Sequence, residues 1–238
     1  MSEHHIFYIP PQSLSENEIV IRNPQLHHIK QVLRKKTGDS ICLTDGQGYL
    51  YRAEISDVNR SAMKAKILQK DFVPRKYGFA LTVGFVPVKG LRNDLIIEKG
   101  TELGVTHFVA FISEHSVVRN ISAQKIERFS KIATSAMVQS QQYHLPEIGF
   151  AGSLEDLLGS SSDYDLVLVA DPQGRADVQL GGSKVLLLVG PEGGFACYEM
   201  DSLTRHGARL LSLGKTRLRS ETAVIVGVTK ILGAYGQI

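Results

Sequence analysis

Hydrophobic positions along this 238-residue chain change rhythm near residue 73. Up to about Phe72 they fall in short runs, Ile19 to Ile21, Ser40 to Thr44, Tyr49 to Ile55 and Ala62 to Leu68, and Asp45-Gly46-Gln47-Gly48 joins two of them as a hairpin-type turn. Short strands between turns predict a small β-barrel. One helix interrupts them, with Asn23 as N-cap, Pro24 at the first helical position and Gly38 just past its end. Leu26, Ile29 and Leu33 recur at helical spacing and are expected to face the barrel. His27, Lys30 and Arg34 fall on another face, with Lys35 and Lys36 near the C-terminal end. This cationic face suits a solvated surface, where cations favour the negative end of the helix dipole, as well as it suits contact with an RNA backbone.

Beyond a linker at Val73-Pro74-Arg75-Lys76 the runs lengthen and alternate with helical patterns. The expected order is strand Phe79 to Val86, helix Leu91 to Leu103, strand Phe108 to Ile112, helix Ser122 to Gln142, a short helix Leu154 to Leu158, strands Leu166 to Ala170 and Val185 to Val189, helix Tyr198 to His206, strand Leu210 to Leu213, and a last helix Glu221 to Ala234. Near-continuous apolar strands alternating with helices predict an α/β domain whose parallel sheet is covered on both faces. The last helix is apolar around most of its circumference, so it is expected to be buried on several sides, by its own domain on the pattern alone. The domains are therefore 1–72 and 73–238.

Composition narrows the class. The chain is 43% hydrophobic and 21% charged, ordinary for a globular protein. No apolar run approaches the roughly 18 to 20 residues of a membrane helix, and the N-terminus lacks a basic-then-apolar leader, so no membrane association and a cytoplasmic location are expected. Cys42 and Cys197 lie far apart and outside any CxxC spacing, and the eight histidines form no HExxH, so no metal is assigned. Residues 1–76 carry 12 Lys and Arg against 8 Asp and Glu, a net of +4, whereas 77–238 carry 15 against 16, a net of −1. This N-terminal bias permits a polyanionic partner without requiring one.

The chemistry concentrates in the last fifty residues. A glycine-rich turn, Val189-Gly190-Pro191-Glu192-Gly193-Gly194-Phe195, follows a hydrophobic strand, and a second loop, Leu213 to Ala223, leads into the last helix. Bare backbone of this kind lets a small ligand approach closely at the carboxyl ends of strands. Familiar nucleotide fingerprints do not fit. No GxGxxG follows the first strand of the second domain, and Gly214-Lys215-Thr216 lacks the Walker A glycine, which is replaced by Arg209. A GxSxG elbow is absent too.

These two loops together bring a family into view: the chain resembles the RsmE methyltransferases of the SPOUT superfamily. The resemblance runs through His28, Val32-Leu33-Arg34, Gly38-Asp39, Asp45-Gly46, Lys89-Gly90, the run Glu98 to Val105, Ser113-Glu114, Gln139-Ser140 and Pro146-Glu147-Ile148 to the VGPEGGF and LRSETA elements. It implies a trefoil-knotted α/β domain preceded by a PUA-like β-barrel that engages RNA, a homodimer with its last helix partly covered by the second copy, and S-adenosylmethionine as cofactor. The implied reaction is methylation of N3 of a uridine in 16S rRNA, as free RNA or within the 30S subunit.

The resemblance also implies a set of site residues. For the cofactor these are Leu168, Val189, Gly190, Pro191, Glu192, Gly193, Gly194, Leu211, Ser212, Leu213, Gly214, Leu218 and Thr222. Arg219 is expected to hold an RNA phosphate or a developing anionic oxygen, and Glu221 is a candidate proton acceptor that equally suits a helix-dipole partner. His27, Lys30, Arg34, Lys89, Arg92 and Arg119 are expected RNA contacts, although ion pairing explains Lys89, Arg92 and Glu102 as readily. The chain departs from the family pattern at Val138, Gln142, His115 and Thr216, and Ala196 replaces a serine or threonine helix cap at an expected cost of about 1 kcal/mol. Those departures keep two alternatives open: a noncatalytic RNA-binding or assembly factor, and methylation of another RNA.

Overall fold

The computed structural model describes residues 5–23, 25–177 and 181–238. The chain divides into two compact units, Met1–Arg75 with Met137–Leu145, and Lys76–Ala136 with Pro146–Ile238.

Five strands form the first unit: β1 (Ile6–Tyr8), β2 (Glu18–Ile21), β3 (Ser40–Thr44), β4 (Tyr49–Val58) and β5 (Met63–Phe72). They make one sheet in the order β1-β3-β4-β5-β2, with β1 parallel to β3 and the other pairs antiparallel. Alternation decides which face turns inward. Tyr51, Ala53 and Ile55 of β4 are buried while Arg52 and Glu54 point out, as the period of two requires. Inward residues of all five strands, with Leu26 and Ile29, form a single core. Strand β1 escapes the hydrophobic pattern because three residues show no alternation, and its partner lies more than thirty positions away.

The helix of this unit is shorter than expected. It comprises α1 (Gln25–His27) and a π-helical stretch, His28–Val32, whose last turn closes with Leu33 N–H donating to the His28 carbonyl. Arg34 then adopts φ 54°, which stops the helix. Gly38 is a turn residue before β3, its N–H bonded to the Ile55 carbonyl at 2.8 Å, and not the helix end. Lys35 and Lys36 therefore follow the helix instead of capping it. Leu26 and Ile29 are buried and Leu33 packs on the core, as their spacing predicts. Pro24, expected at the first helical position, lies outside the described residues.

Residues 137–145 belong to the first unit through backbone bonds to the β3–β4 turn. Gly48 N–H donates to the Tyr143 carbonyl at 2.8 Å, and Leu145 N–H to that of Gly46 at 2.8 Å. Asp45, itself buried, closes the same turn by accepting from the Gln47 and Tyr49 amides and from the Tyr51 hydroxyl.

The second unit is a six-stranded parallel sheet in the order β11-β9-β10-β6-β7-β8. In chain order it holds β6 (Ala80–Phe85), α2 (Arg92–Glu102), β7 (His107–Phe111), α3 (Ala123–Gln139, whose last turn belongs to the first unit), β8 (Glu147–Ala151), α4 (Leu154–Leu158), β9 (Leu166–Arg175), β10 (Lys184–Val189), α5 (Cys197–Arg205), β11 (Arg209–Leu211) and α6 (Ser220–Ala234). Residues Val185 to Val189 of β10 are all buried because helices cover both faces. Leu186 and Leu188 join Leu157, Leu158 and Leu203 of α4 and α5 on one side. On the other side α6 packs on α2, β10 and β6, and Gly227 of α6 lies against Leu187. The edge strand β8 is largely exposed, so it carries no hydrophobic run to betray it.

Strand β9 runs on to Arg175, beyond its expected end at Ala170, and its pairing with β11 is interrupted. Leu210 pairs with Val169 but Leu211 with Arg175, so residues 170–174 loop out between them. At the far side of this loop Gly174 meets the backbone of Leu210 and Leu211 so closely that an added Cβ would lie 2.6 Å from it. The Leu210 and Leu211 backbone cannot yield cheaply, because both residues are held in the ladder with β9. Gly174→Ala is therefore expected to destabilise the protein by about 3 kcal/mol, read as a lowered urea midpoint at unchanged m-value.

Candidate functional site

The carboxyl ends of β9, β10 and β11 enclose a cleft of about 540 Å³, within the roughly 300–1,000 Å³ range of sites for small organic ligands. Three segments wall it. Ala170, Asp171 and Pro172 come from the looped-out part of β9, Val189 to Phe195 from the glycine-rich turn, and Leu213 to Leu218 from the second loop, with Ser220 and Ala223 of α6 behind. Glycines at 190, 193, 194 and 214 leave parts of these walls as bare backbone, where amides and carbonyls are open to a ligand. Gly190 shows why the turn excludes larger residues: a Cβ there would lie 2.9 Å from the Phe195 ring, which stacks parallel to Phe111.

Of the expected cofactor residues, Val189, Gly190, Pro191, Glu192, Gly193, Gly194, Leu213, Gly214 and Leu218 line the cleft. Leu168 does not. It sits inside β9 with 0% exposure, paired in the sheet, and the strand reaches the cleft only two residues later at Ala170. Leu211 is buried as the last residue of β11, Ser212 bonds back to the Arg175 carbonyl, and Thr222 lies on the exposed side of α6, so these three also stand outside the wall. Asp171 and Phe195 are wall residues that the sequence reading missed. Their position just past the ends of parallel strands was the available signal.

The turn is fixed by a residue that carried no motif. Glu199 of α5 is 2% exposed, and its carboxylate accepts three hydrogen bonds: from the Ala196 amide at 2.8 Å, the Ser113 hydroxyl at 3.1 Å and the Glu114 amide at 3.0 Å. Ala196, at the N-cap, has no side-chain acceptor, so the expected loss of a cap is offset from the other half of the capping box. The same carboxylate ties the 113–116 loop to the turn. His115 then donates from Nδ1 to the Gly194 carbonyl at 3.0 Å. Arg119, an expected RNA contact, donates to the carbonyls of Ser113 and Glu114 and so braces this loop. The Tyr198 hydroxyl donates to Glu114, and this bond, with burial, raises the phenol above its ordinary pKa.

Glu192 joins the two loops. Its carboxylate pairs with Arg92 at the start of α2, and its carbonyl accepts from Arg217 of the second loop. Arg217 thus supplies an arginine contact beside Thr216, where the family pattern has its arginine one position earlier. On the far side of Pro191 and Glu192 lies a smaller cleft of about 70 Å³ bordered by Val86 to Lys89, Arg92 and Val117. Asn93 holds its floor by clamping both the N–H and the carbonyl of Val88. Glu102 pairs with Lys99 inside α2, which suits a structural role.

Arg219 is the N-cap residue of α6, exposed, with no side-chain partner among the described residues. Glu221, two positions on, is 9% exposed, and its Oε2 is buried without a hydrogen-bond partner among the described residues. Such a carboxylate is costly to leave unmet. In the first unit His27, Lys30 and Arg34 are all exposed, with Lys30 reaching the Asn59 carbonyl. Among the described residues no helix is long and apolar enough to cross a membrane, and no group of three His, Cys, Asp or Glu is gathered as metal ligands would be.

Comparison with known proteins places these features in a family. A family model described as an RNA methyltransferase domain matches residues 75–232, and one described as an RNA methyltransferase PUA domain matches residues 21–68. The ribosomal RNA small subunit methyltransferase E of Mycobacterium bovis is 30% identical, over 97% of this chain and 90% of its own. A crystal structure of a probable rRNA methyltransferase from Porphyromonas gingivalis is 31% identical with a TM-score of 0.86, covering 97% of this chain and 98% of that one. A ribosomal RNA small subunit methyltransferase E from Neisseria gonorrhoeae, bound to S-adenosylmethionine, is 27% identical with a TM-score of 0.86 and the same coverage.

Removing the buried carboxylate leaves three donors without acceptors. Glu199→Ala is therefore expected to cost about 3 kcal/mol of stability, measured by denaturant unfolding. Glu199→Gln, which retains one acceptor oxygen, should lose less.

Proposed function

The chain belongs to the RsmE family of RNA methyltransferases, and on that premise we propose that it methylates N3 of a uridine in 16S rRNA, using S-adenosylmethionine held in the cleft between the glycine-rich turn and the second loop. The observation that carries this is the cleft itself: its volume, the glycines in its walls, and the convergence on it of both loops that mark the family. The residues present fit the cofactor. Backbone groups of Val189 to Gly194 and Leu213 to Leu218 suit the adenosine portion, and Asp171 at the rim offers a carboxylate to a cationic amino acid group. When bound, S-adenosylmethionine supplies an electrophilic methyl group.

The chain's own residues then have three tasks: to orient the uracil ring, to accept its N3 proton and to steady the charge that spreads to the ring oxygens. Arg219 serves the last. Its guanidinium is permanently charged, stands at the mouth of the second loop and is not engaged elsewhere among the described residues. Glu221 is the proton acceptor of this reading. Its unpartnered Oε2 sits one residue from Ser220, which lines the cleft. Lys89 and Arg92, beside the smaller cleft, suit phosphate contacts from the RNA.

Two further features support finer readings. Pairing of β11 with β9 on both sides of the looped-out 170–174 segment, with Gly174 against the Leu210 and Leu211 backbone, suits a chain threaded as a trefoil knot. A homodimer is supported by the side chains left uncovered where α2 and α6 pack together: Leu91 is 69% and Leu95 42% exposed, and Ile225 and Val226 are half-buried. The N-terminal unit is the RNA-binding domain of this reading, presenting His27, Lys30 and Arg34.

Undermethylated small subunits incubated with the protein and S-adenosylmethionine should acquire one N3-methyl block, seen as a new stop in primer extension; absence of any stop sinks the reading. Arg219→Ala should lower kcat by about 100-fold or more while the calorimetric Kd for S-adenosylmethionine changes little. Glu221→Gln should do the same. Equal loss of cofactor affinity in either variant would return that residue to a structural role.

A further inference from the structure

Three rings and an ammonium group gather at one end of the sheet in the first unit, in an arrangement that the methyl-transfer reading leaves unused. Tyr49 opens β4 and Phe72 ends β5, and the two are cross-strand partners with ring centroids 5.3 Å apart at 64°. The His144 imidazole stands nearly perpendicular to Phe72, 6.0 Å away. Lys70 places its ammonium 4.0 Å from the centre of the Tyr49 ring and 5.6 Å from that of Tyr51. All five residues belong to the same unit.

The cluster is held rigidly from behind. Gly48, at φ +96°, lies so close that a Cβ would fall 2.4 Å from the His144 ring and 2.8 Å from the Phe72 ring. His144 Nε2 bonds to the Val73 carbonyl at 2.8 Å, while Val73 N–H donates to the Gly48 carbonyl at 2.8 Å. In front it is open: Phe72 is 59% exposed, whereas Tyr49 and His144 are half-buried and Tyr51 is buried. A ring positioned by packing on one side and left to water on the other loses little entropy when something flat stacks on it.

The charge nearby says what that flat group carries. Lys70, exposed on the same face of β5 as Phe72, holds its ammonium over Tyr49, the cross-strand partner of the exposed ring. An aromatic face beside an ammonium group suits a planar ring attached to a phosphate, which is the chemistry of a nucleotide in a single strand. Bases within a duplex are already stacked and cannot reach it.

We propose that Phe72, supported by Tyr49 and His144 and flanked by Lys70, is a stacking platform for an unpaired base of the RNA substrate. It deepens the function proposed above and rests on it for the identity of the polymer. The platform positions RNA; it takes no part in methyl transfer.

The chain contains no tryptophan, so Phe72→Trp introduces a single fluorescent reporter that preserves the stacking surface. Its emission should be quenched by a ten-nucleotide oligouridylate and not by a duplex RNA of equal length. Phe72→Leu keeps apolar bulk but removes the π-face, so it should weaken oligouridylate binding by about tenfold and raise KM for ribosomal RNA. Its thermal melt, S-adenosylmethionine affinity and kcat at saturating RNA should match the parent protein. Unquenched emission together with unchanged affinity in Phe72→Leu overturns the platform. So does a shift in oligomer mass on Phe72→Leu without RNA, which would make the surface a protein interface. Quenching of Phe72→Trp by oligouridylate while the parent protein leaves no methyl block overturns the methyltransferase reading alone; a parent protein that methylates while Phe72→Leu keeps its KM overturns the platform alone.

Discussion

Glu199 brings a carboxylate into the interior of the second unit and meets three donors there, from the N-terminus of its own helix, from Ser113 and from Glu114. Burial of a charge at this depth is tolerable only because every bond is made. Through it the glycine-rich turn, the start of α5 and the loop after β7 become one body. His115 and Arg119 extend the same body by holding the Gly194 carbonyl and the carbonyls of Ser113 and Glu114. The first wall of the cleft keeps its shape for that reason, despite being built from residues with few side-chain atoms.

The second wall is attached to the first by charge. Glu192 receives Arg92 on its carboxylate and Arg217 on its carbonyl, so one residue of the turn gathers cations from α2 and from the loop before α6. Arg219, two positions further on, is left without a side-chain partner among the described residues. Lys230 of α6 pins the end of β11 by bonding to the Ser212 carbonyl, which sets where the second loop begins.

Local pattern predicted most elements within a residue or two, because strands such as Val185 to Val189 and helices such as Leu154–Leu158 bury residues at the period their own geometry imposes. It failed where local period is not what holds an element. Strand β1 is three residues paired with a distant partner, β8 is an exposed edge, and the helix after Asn23 is cut short by Arg34 at a positive φ. The site was legible to a similar depth. Nine of the expected cofactor residues line the cleft because they lie on two recognisable loops, whereas Leu168 lies inside β9, Leu211 at the end of β11, Ser212 against the Arg175 carbonyl and Thr222 on the exposed side of α6.

By itself the sequence determined the two rhythms of the chain, the parallel α/β character of the second unit, the glycine-rich turn with its companion loop, and through them the family. Those properties are short-range: apolar spacing and backbone permissiveness are written within a few residues of where they act. Only the tertiary structure decided that Glu199 would anchor a loop 86 residues away, that residues 137–145 would complete the first unit, that Asp171 would reach the cleft, and that Gly174 would lie against Leu210 and Leu211. Each of these joins segments remote in sequence. No local period encodes such a meeting, because it depends on how the whole sheet is threaded and packed.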